Sequence, residues 1–421
     1  MMGGRGWMAV AAAWVALLCA GAIPESANAR EAETRVASAP VAVTVPAPPR
    51  SAGFAPPAQA APSAQTAPTI PGGPAEPFRA ALVEDLESGR VLFAENENMQ
   101  WPPASMIKMM TVLVVMDRVR DGSVSLDDQV FSSARASKMG GSQVYLAEGE
   151  RFPLRDMLRA VMVSSANDAS AAVAEHVAGS TDAFVELMRE RGQAMGLQDS
   201  EFYSVHGLPP GKGQKADMMS ARDLAKVARE LRAYPEVREW AATKEAPFRD
   251  GQFTMRNTNK MLYWYRGATG LKTGYIGASG FEVTATAERD GMSLVAVVLG
   301  VPTKKGSFEE AAKLLDQGFA RYQKVEPVKT GEEVGPSISV ANGSEPYFRG
   351  LAADGIHLVL PRTEARDLAV EVRVPGQLAA PVARGQVVGQ VVLHRGGEEI
   401  ARSNVVAPRD IEAVSWWSRL W

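Results

Sequence analysis

The sequence predicts an α+β domain followed by a smaller all-β domain. Strand patterns lie at both ends of the first region with helical patterns between them, which favours an antiparallel sheet covered by helices. From about Val325 the pattern changes to short strands separated by turn residues, which is typical of a small β domain. A chain of 421 residues is long enough for two domains that each bury a core.

The N-terminus has the features of an export signal. Arg5 lies in a short positive segment, and the apolar run from Trp7 to Leu18 is short for a membrane-spanning helix. Ala27-Asn28-Ala29 offers a cleavage site, so we expect a signal peptide over residues 1–29 and export to the periplasm, with an uncleaved anchor as the alternative. Cys19 is the only cysteine, and cleavage would leave a chain without disulfides or cysteine catalysis.

Residues 30–76 are rich in alanine and proline and show little hydrophobic periodicity. Such a composition cannot bury a core and predicts an extended linker. It either spaces the folded part from another structure or is an unselected spacer.

The first folded domain is placed at residues 77–324. A hairpin opens it, because strand patterns at 80–85 and 90–94 flank a turn containing Ser88 and Gly89. Helical periodicity then predicts helices over Met106–Arg120, Leu154–Val163, Ser170–Ala178, Thr181–Met195 and Ala221–Leu231. Strand patterns return at Met261–Tyr265, Gly270–Thr273, Gly280–Glu288 and Met292–Val301, and a helix over Glu309–Gln323 closes the domain.

The β domain is placed at residues 325–408, with strands predicted at Ile356–Leu360, Leu368–Val374 and Val387–His394. Residues 409–421 are predicted to form an amphipathic helix from Asp410 to Trp421. Its apolar side carries three tryptophans, which suits a helix lying at the membrane surface. A terminal helix docked on the β domain is the alternative.

Charge and histidine content exclude two classes of function. The net charge of -3 gives no electrostatic basis for binding nucleic acid. The four histidines are scattered without paired ligand spacing, so we expect neither a metal site nor a cofactor.

Ser105 and Lys108 are the candidate nucleophile and base. Pro103 favours a helix start, and a spacing of three places both side chains on one face, about 5–6 Å apart at Cβ. A lysine in a dry, cation-rich pocket has a pKa low enough to accept the serine proton. A surface serine beside a solvated lysine is the alternative for this motif alone.

Two further motifs complete the pattern. Ser165-Ala166-Asn167 lies in a predicted helix connection, where Ser165 can relay a proton and the Asn167 amide can hold a substrate carbonyl; ordinary turn and cap chemistry is the alternative. Lys272-Thr273-Gly274 precedes an apolar strand, and Gly274 permits close approach of a substrate backbone. A second copy, Lys329-Thr330-Gly331, is followed by two glutamates and is interpreted as a solvated turn.

The order and surroundings of these motifs resemble those of the penicillin-binding serine acyl transferases, and more narrowly of the type-5 low-molecular-mass D-alanyl-D-alanine carboxypeptidases. Further matching stretches are Ser165-Ala166-Asn167-Asp168-Ala169, His206-Gly207-Leu208 and Ser220-Ala221-Arg222-Asp223-Leu224. The resemblance runs from about Pro77 to the C-terminus. It implies a transpeptidase-like fold, stem peptides ending in D-Ala-D-Ala as substrates, and β-lactams as covalent inhibitors.

The resemblance also implies roles for the motif residues. Ser105 attacks the penultimate D-alanine carbonyl with Lys108 as general base, and the amides of Ser105 and Tyr275 form the oxyanion hole. Ser165 and Lys272 deliver a proton to the departing D-alanine. In substrate binding, the residues implied are Asn167, Thr273, Gly274, Tyr275 and Arg222, with Thr273 and Arg222 reading the terminal carboxylate.

Departures from the family pattern are Met106-Ile107, where Leu-Thr is usual, and Ile276, where threonine is frequent. The leading interpretation is a membrane-tethered D-Ala-D-Ala carboxypeptidase of peptidoglycan. The alternatives are a D,D-endopeptidase, a serine β-lactamase, for which no Glu-x-x-x-Asn loop is found between Asn167 and Lys272, and a non-catalytic peptidoglycan-binding scaffold.

Overall fold

The computed structural model describes residues 77–414, so the predicted signal peptide (1–29), the Ala/Pro-rich linker (30–76) and residues 415–421 lie outside the described residues. The strands of the first domain are β1 (Ala80–Asp85), β2 (Val91–Glu95), β3 (Gln129–Phe131), β4 (Arg151–Pro153), β5 (Glu245–Phe248), β6 (Phe253–Arg256), β7 (Ala268–Ile276), β8 (Gly280–Arg289) and β9 (Met292–Val301). Its helices are α1 (Lys108–Arg120), α2 (Leu154–Val163), α3 (Asn167–Ala178), α4 (Thr181–Ala194), α5 (Ala221–Leu231), α6 (Pro235–Ala242) and α7 (Lys304–Arg321). Short 3₁₀ turns occur at Ala104–Ile107, Ala136–Lys138 and Lys260–Tyr263.

The first domain is built on a five-stranded antiparallel sheet in the order β2-β1-β9-β8-β7. Because successive side chains of a strand point to opposite faces, β9 contributes to two cores. Val295, Val297 and Leu299 pack with the helices α1 to α5, whereas Leu294, Ala296 and Val298 pack with α7. This layering confirms the predicted α+β class.

Helix α1 is the centre of the helical layer. Every residue from Lys108 to Met116 is buried, so this segment lacks a solvent-facing side. The nucleophile candidate is therefore attached to one of the most enclosed elements of the fold. None of the helices within residues 77–414 is long and apolar enough to cross a membrane.

The C-terminal part is all-β, as predicted. Its strands are β10 (Tyr322–Val328), β11 (Glu333–Ala341), β12 (Tyr347–Ala352), β13 (Ile356–Pro361), β14 (Leu368–Arg373), β15 (Gln377–Ala379), β16 (Val387–Arg395) and β17 (Glu398–Val406). A six-stranded sheet has the order β14-β16-β17-β12-β11-β15, and β10 pairs with β13. The core includes Ile338, Val391 and Val405. The boundary predicted between residues 324 and 325 falls inside β10.

Two predicted elements differ in type from the structure, and the helix predicted over Glu309–Gln323 runs over Lys304–Arg321, so that its last two residues belong to β10. Met261–Tyr265 is not a strand, because the Asn259 side chain accepts a hydrogen bond from the Met261 amide and starts a 3₁₀ turn there. The helix predicted from Asp410 is absent over residues 410–414. Ile411 instead bridges Val382 in β pairing and is fully buried in the β-domain core.

Candidate active site

The nucleophile candidate and its base meet at the start of α1. Lys108 Nζ donates a 2.8 Å hydrogen bond to Ser105 Oγ and a 2.7 Å bond to the carbonyl of His206. Ser105 lies in the Ala104–Ile107 turn and is partly exposed, whereas Lys108 is fully buried. A dry amine in contact with a reachable hydroxyl is the arrangement that serine activation by lysine requires.

The proton-relay candidates form a second pair. Lys272 on β7 donates a 2.7 Å hydrogen bond to Ser165 Oγ and a 3.3 Å bond to the Thr273 carbonyl. Ser165 lies in the tight turn between α2 and α3, with its φ at 59°. A serine in this left-handed region is held by its surroundings, which fixes where its hydroxyl points.

Electrostatics make both lysines unusual. Burial lowers the pKa of Lys272 to about 7. Burial and then the charge of Lys272 lower the pKa of Lys108 well below its ordinary value, and the more distant Asp217 and Asp168 carboxylates only partly oppose this. The Lys272 amine therefore exchanges its proton near neutral pH, and the Lys108 amine is neutral at a lower pH than that of an exposed lysine.

The sequence predicted Asn167 in a connection between two helices, whereas in the structure it is the first residue of α3. Its Nδ2 donates to the Gly140 carbonyl at 2.6 Å, while its buried Oδ1 has no hydrogen-bond partner among the described residues. The neighbouring Asp168 carboxylate accepts bonds from the amides of Val144 and Leu146, which holds this loop beside the site. Asn167 thus presents an acceptor that a bound amide N–H can satisfy.

The last motif lines the β7 edge of the sheet. Thr273 Oγ1 donates a 2.8 Å hydrogen bond to Thr258 Oγ1, a contact that no sequence pattern indicated. A Cβ on Gly274 would lie only 2.7 Å from the Pro103 carbonyl, so glycine allows β7 to approach the turn that carries Ser105. Tyr275 is 56% exposed and stacks on Phe281 with ring centroids 4.2 Å apart.

Within residues 77–414, Arg222 forms no hydrogen bond with the Ser105, Lys108, Ser165 or Lys272 side chains. Its guanidinium pairs with Glu97 at 2.9 Å and with Asn98 at 3.0 Å, near the N-terminus of α5. The role of Arg222 in carboxylate binding stays a prediction, and the side-chain partners of its guanidinium in the structure are two residues that follow β2. The second Lys-Thr-Gly copy lies in the exposed turn between β10 and β11, as interpreted from sequence.

His206 contributes more than the sequence suggested. Its carbonyl holds Lys108, and its ring Nδ1 accepts from the Leu208 amide at 3.1 Å. Burial and the charge of Lys108 lower the pKa of His206 to about 4, so the ring stays neutral and adds no further positive charge. Gly207 is required next to it, because a Cβ there would lie 1.9 Å from the Ala104 carbonyl.

A sheet-and-helix domain with two Ser–Lys pairs at one sheet edge defines the class of the penicillin-binding serine hydrolases. The D-alanyl-D-alanine carboxypeptidase family model matches residues 69–303, and that of the penicillin-binding protein 5 C-terminal domain matches residues 322–413. The chain belongs to the D-alanyl-D-alanine carboxypeptidase family and is a serine-type hydrolase of that kind. This match disfavours the β-lactamase and scaffold alternatives.

Individual relatives agree with the family match. The chain is similar to the D-alanyl-D-alanine carboxypeptidase DacF of Bacillus subtilis, with 32% identity over 80% of this chain and 87% of the relative. Penicillin-binding protein 5 of Haemophilus influenzae superposes with a TM-score of 0.66 at 30% identity, over 81% of this chain and 99% of that one. Penicillin-binding protein D2 of Listeria monocytogenes, solved with ampicillin bound, superposes with a TM-score of 0.54 at 26% identity, over 59% of this chain and 99% of that one.

Proposed function

We propose that the chain removes the terminal D-alanine from peptidoglycan stem peptides through an acyl-enzyme on Ser105. The observation that carries this proposal is the 2.8 Å contact of the fully buried Lys108 amine with a partly exposed hydroxyl. Lys108, in its neutral form, takes the Ser105 proton as the oxygen attacks the penultimate carbonyl. The amides of Ser105 and Tyr275 bind the oxyanion.

The departing D-alanine needs a proton on its nitrogen. The Lys272–Ser165 pair delivers this proton, because the 2.7 Å bond links a lysine of lowered pKa to a hydroxyl in the cleft. Asn167 orients the peptide through its free Oδ1, and Thr273 reads the terminal carboxylate beside the Lys272 charge. Water then hydrolyses the ester and regenerates Ser105. A β-lactam would form the same ester, since it imitates the D-Ala-D-Ala end.

Release of D-alanine from diacetyl-Lys-D-Ala-D-Ala tests the proposal. The chain from Arg30 onward is expected to release D-alanine and to be labelled covalently by a fluorescent penicillin, whereas Ser105→Ala loses both activities. Ser137→Ala, a serine in the 3₁₀ turn Ala136–Lys138, serves as the control and is expected to retain both. Labelling that persists in Ser105→Ala would remove Ser105 as nucleophile.

The cellular location of the protein is also part of the proposal. Residues 1–29 act as a cleaved signal peptide and residues 30–76 as a linker, so that the catalytic domain (77–324) and the β domain (325–408) function in the periplasm. Support comes from the Ala27-Asn28-Ala29 site and the cell-wall substrate class of the family. The C-terminal residues, with Trp416, Trp417 and Trp421, attach the protein to the outer face of the cytoplasmic membrane.

A further inference from the structure

Glu282 is a buried acid directly behind the site. It lies on β8 opposite Gly274 of β7, and its side chain shares a sheet face with Lys272. Two residues along the same face, Thr284 Oγ1 donates to Met106 Sδ at 3.4 Å, so this face packs on the turn that carries Ser105. The pairing of β8 with β9 shifts between Phe281 and Val283, at Glu282 itself.

The carboxyl group of Glu282 is enclosed without a well-formed hydrogen bond among the described residues. The residue is 1% exposed, and neither of its oxygens makes a hydrogen bond or an ion pair within residues 77–414. Within the described residues the Ser279 hydroxyl beside it makes no well-formed hydrogen bond, and the Trp101 indole N–H donates to the Ser279 carbonyl at 3.1 Å. Both groups nevertheless lie near enough to the acid to lower its pKa. A buried carboxylate left in this way would be costly, whereas a neutral carboxylic acid is tolerated.

Burial is the main cause that raises the pKa of Glu282 well above its ordinary value, and the nearby Ser279 hydroxyl and Trp101 indole oppose it only in part. The charged groups on the surrounding elements are Lys272 on β7, Lys108 at the start of α1 and Arg79 before β1. None of them forms an ion pair with Glu282.

The position of this acid matters because the two sides of the proposed oxyanion hole approach each other beside it. An ideal Cβ on Gly274 would lie 2.9 Å from Glu282 Oε2, 2.7 Å from the Pro103 carbonyl and 3.2 Å from Ala104 Cβ. The Glu282 carboxyl group therefore lies beside Gly274, one residue before Tyr275, where β7 approaches the Ala104–Ile107 turn that carries Ser105. A negative charge there would face the Pro103 carbonyl oxygen across this small space and draw in water.

We propose that Glu282, in its protonated form, is a positioning residue that holds the Gly274–Tyr275 segment and the Pro103–Ser105 turn at the spacing which the oxyanion hole requires. This inference rests on the proposed roles of the Ser105 and Tyr275 amides. Ionisation of Glu282 at alkaline pH would loosen that spacing and slow acylation, while non-covalent binding would change little.

Glu282 is also expected to change how the stability of the protein depends on pH, independently of catalysis. Because the folded state keeps a proton that the unfolded chain releases near pH 4.5, the stability contributed by this proton is complete below pH 4.5. It is lost as pH rises through the window between 4.5 and the raised folded pKa. Glu282→Gln has no such proton, so its melting temperature relative to wild type is expected to increase with pH above about 4.5.

Three variants test the proposal: Glu282→Gln, Glu282→Ala and, as the matched control, Glu288→Gln at an exposed glutamate on the same strand. The rate constant of acylation at saturating fluorescent penicillin and the dissociation constant of the preceding complex are measured from pH 6 to pH 10. Glu282→Gln is expected to have an acylation rate within about twofold of that of wild type at pH 7 and to lose less of this rate at high pH. Glu282→Ala is expected to be acylated at least about tenfold more slowly than wild type, with little change in the dissociation constant.

Two results would overturn the inference: normal acylation by Glu282→Ala, or a ratio of Glu282→Gln to wild type that stays constant from pH 6 to pH 10. If Glu282→Ala does not fold, the inference is still tested by the ratio of the Glu282→Gln acylation rate to the wild-type rate and by the melting temperatures. The control Glu288→Gln should show no pH trend in either quantity. Wild-type protein that is not labelled at Ser105 would instead refute the proposed function itself, which separates the two failures.

Discussion

The Lys272 amine and the Ser165 hydroxyl are joined by a 2.7 Å hydrogen bond between residues that are 107 positions apart in the chain. Neither side chain is more than 3% exposed. The bond ties the edge strand β7 to the turn between α2 and α3, so the sheet and the helical layer meet at the proposed proton relay. Perturbing either partner therefore acts on the same interaction.

The Ser165–Lys272 pair is expected to act as one unit. Ser165→Ala and Lys272→Met should each lower D-alanine release by about 10²–10⁴-fold, since each removes a positioned proton donor. The double variant should lose scarcely more than the worse single variant, because residues of one relay are not additive. Fully additive losses in a double-mutant cycle of kcat would show two independent roles.

Lys108 is expected to set the acid limb of the pH–rate profile of acylation, where the rate rises with pH. Its amine must be neutral to accept the Ser105 proton, so the penicillin acylation rate should rise as pH increases through its lowered pKa. Lys108→Met should lower the rate by about 10²–10⁴-fold and remove this limb. Lys313→Met, an exposed lysine on α7, is the control and should leave the profile unchanged.

Burial of Lys272 makes the protein less stable at neutral pH than it would be with an apolar side chain. Its pKa falls from 10.5 unfolded to about 7 folded, so the unfolded state binds more protons between these values. The stability contributed by deprotonation is complete above pH 10.5 and is lost as pH falls through 7. Lys272→Met should raise the melting temperature at pH 6–7 by at least about 2–4 °C, and this gain should shrink towards pH 10. A gain independent of pH would contradict the assignment.

Gly274 and Gly277 offer a matched pair of alanine substitutions. Gly274→Ala would force a Cβ to within 2.7 Å of the Pro103 carbonyl and 2.9 Å of Glu282 Oε2, whereas a Cβ on Gly277 would meet nothing within 4 Å. Gly274→Ala should reduce the acylation rate and the melting temperature together, and Gly277→Ala should change neither. Equal effects of the two substitutions would show that the close approach of β7 to the Ser105 turn is unimportant.

Membrane attachment can be tested without disturbing the β domain. A chain that ends at Val414 keeps Ile411 in its buried bridge with Val382, so it should melt like the full-length protein. If residues 415–421 form the anchor, this chain should leave the pellet in co-sedimentation with anionic lipid vesicles, using protein that starts at Arg30. Unchanged sedimentation would favour a C-terminus docked on the protein. Ile411→Asp should unfold the β domain by burying a charge and serves as the contrast.

Local sequence signals were sufficient where an element stabilises itself. Helix α5 begins and ends as predicted, because Ser220 caps it through the Asp223 amide and its apolar residues recur at helical spacing. The Ser105–Lys108 contact likewise follows from a spacing of three at a helix start. Such features depend on residues a few positions apart, which a pattern can show.

Features that depend on distant contacts were beyond the sequence. Arg222 lies in a matching stretch, yet its direction is set by Glu97, more than a hundred residues earlier. Met261–Tyr265 has a strand-like composition, but the Asn259 cap turns it into a 3₁₀ segment. In the sequence, Glu282 occupies a polar position of an alternating strand, which predicts an exposed side chain. Only the packing of β8 against the Ser105 turn shows that this side chain is buried.

The Lys272 amine, which is only partly protonated near pH 7, donates hydrogen bonds to the Ser165 hydroxyl and the Thr273 carbonyl, and the described residues give it no carboxylate partner. Under the proposed mechanism, a β-lactam that acylates Ser105 would place its own carboxylate next to this amine and supply a countercharge. Acylation is therefore expected to make the protein more resistant to heat. Thermal denaturation with and without inhibitor would then rank β-lactams by how well their carboxylates fit, without any measurement of turnover.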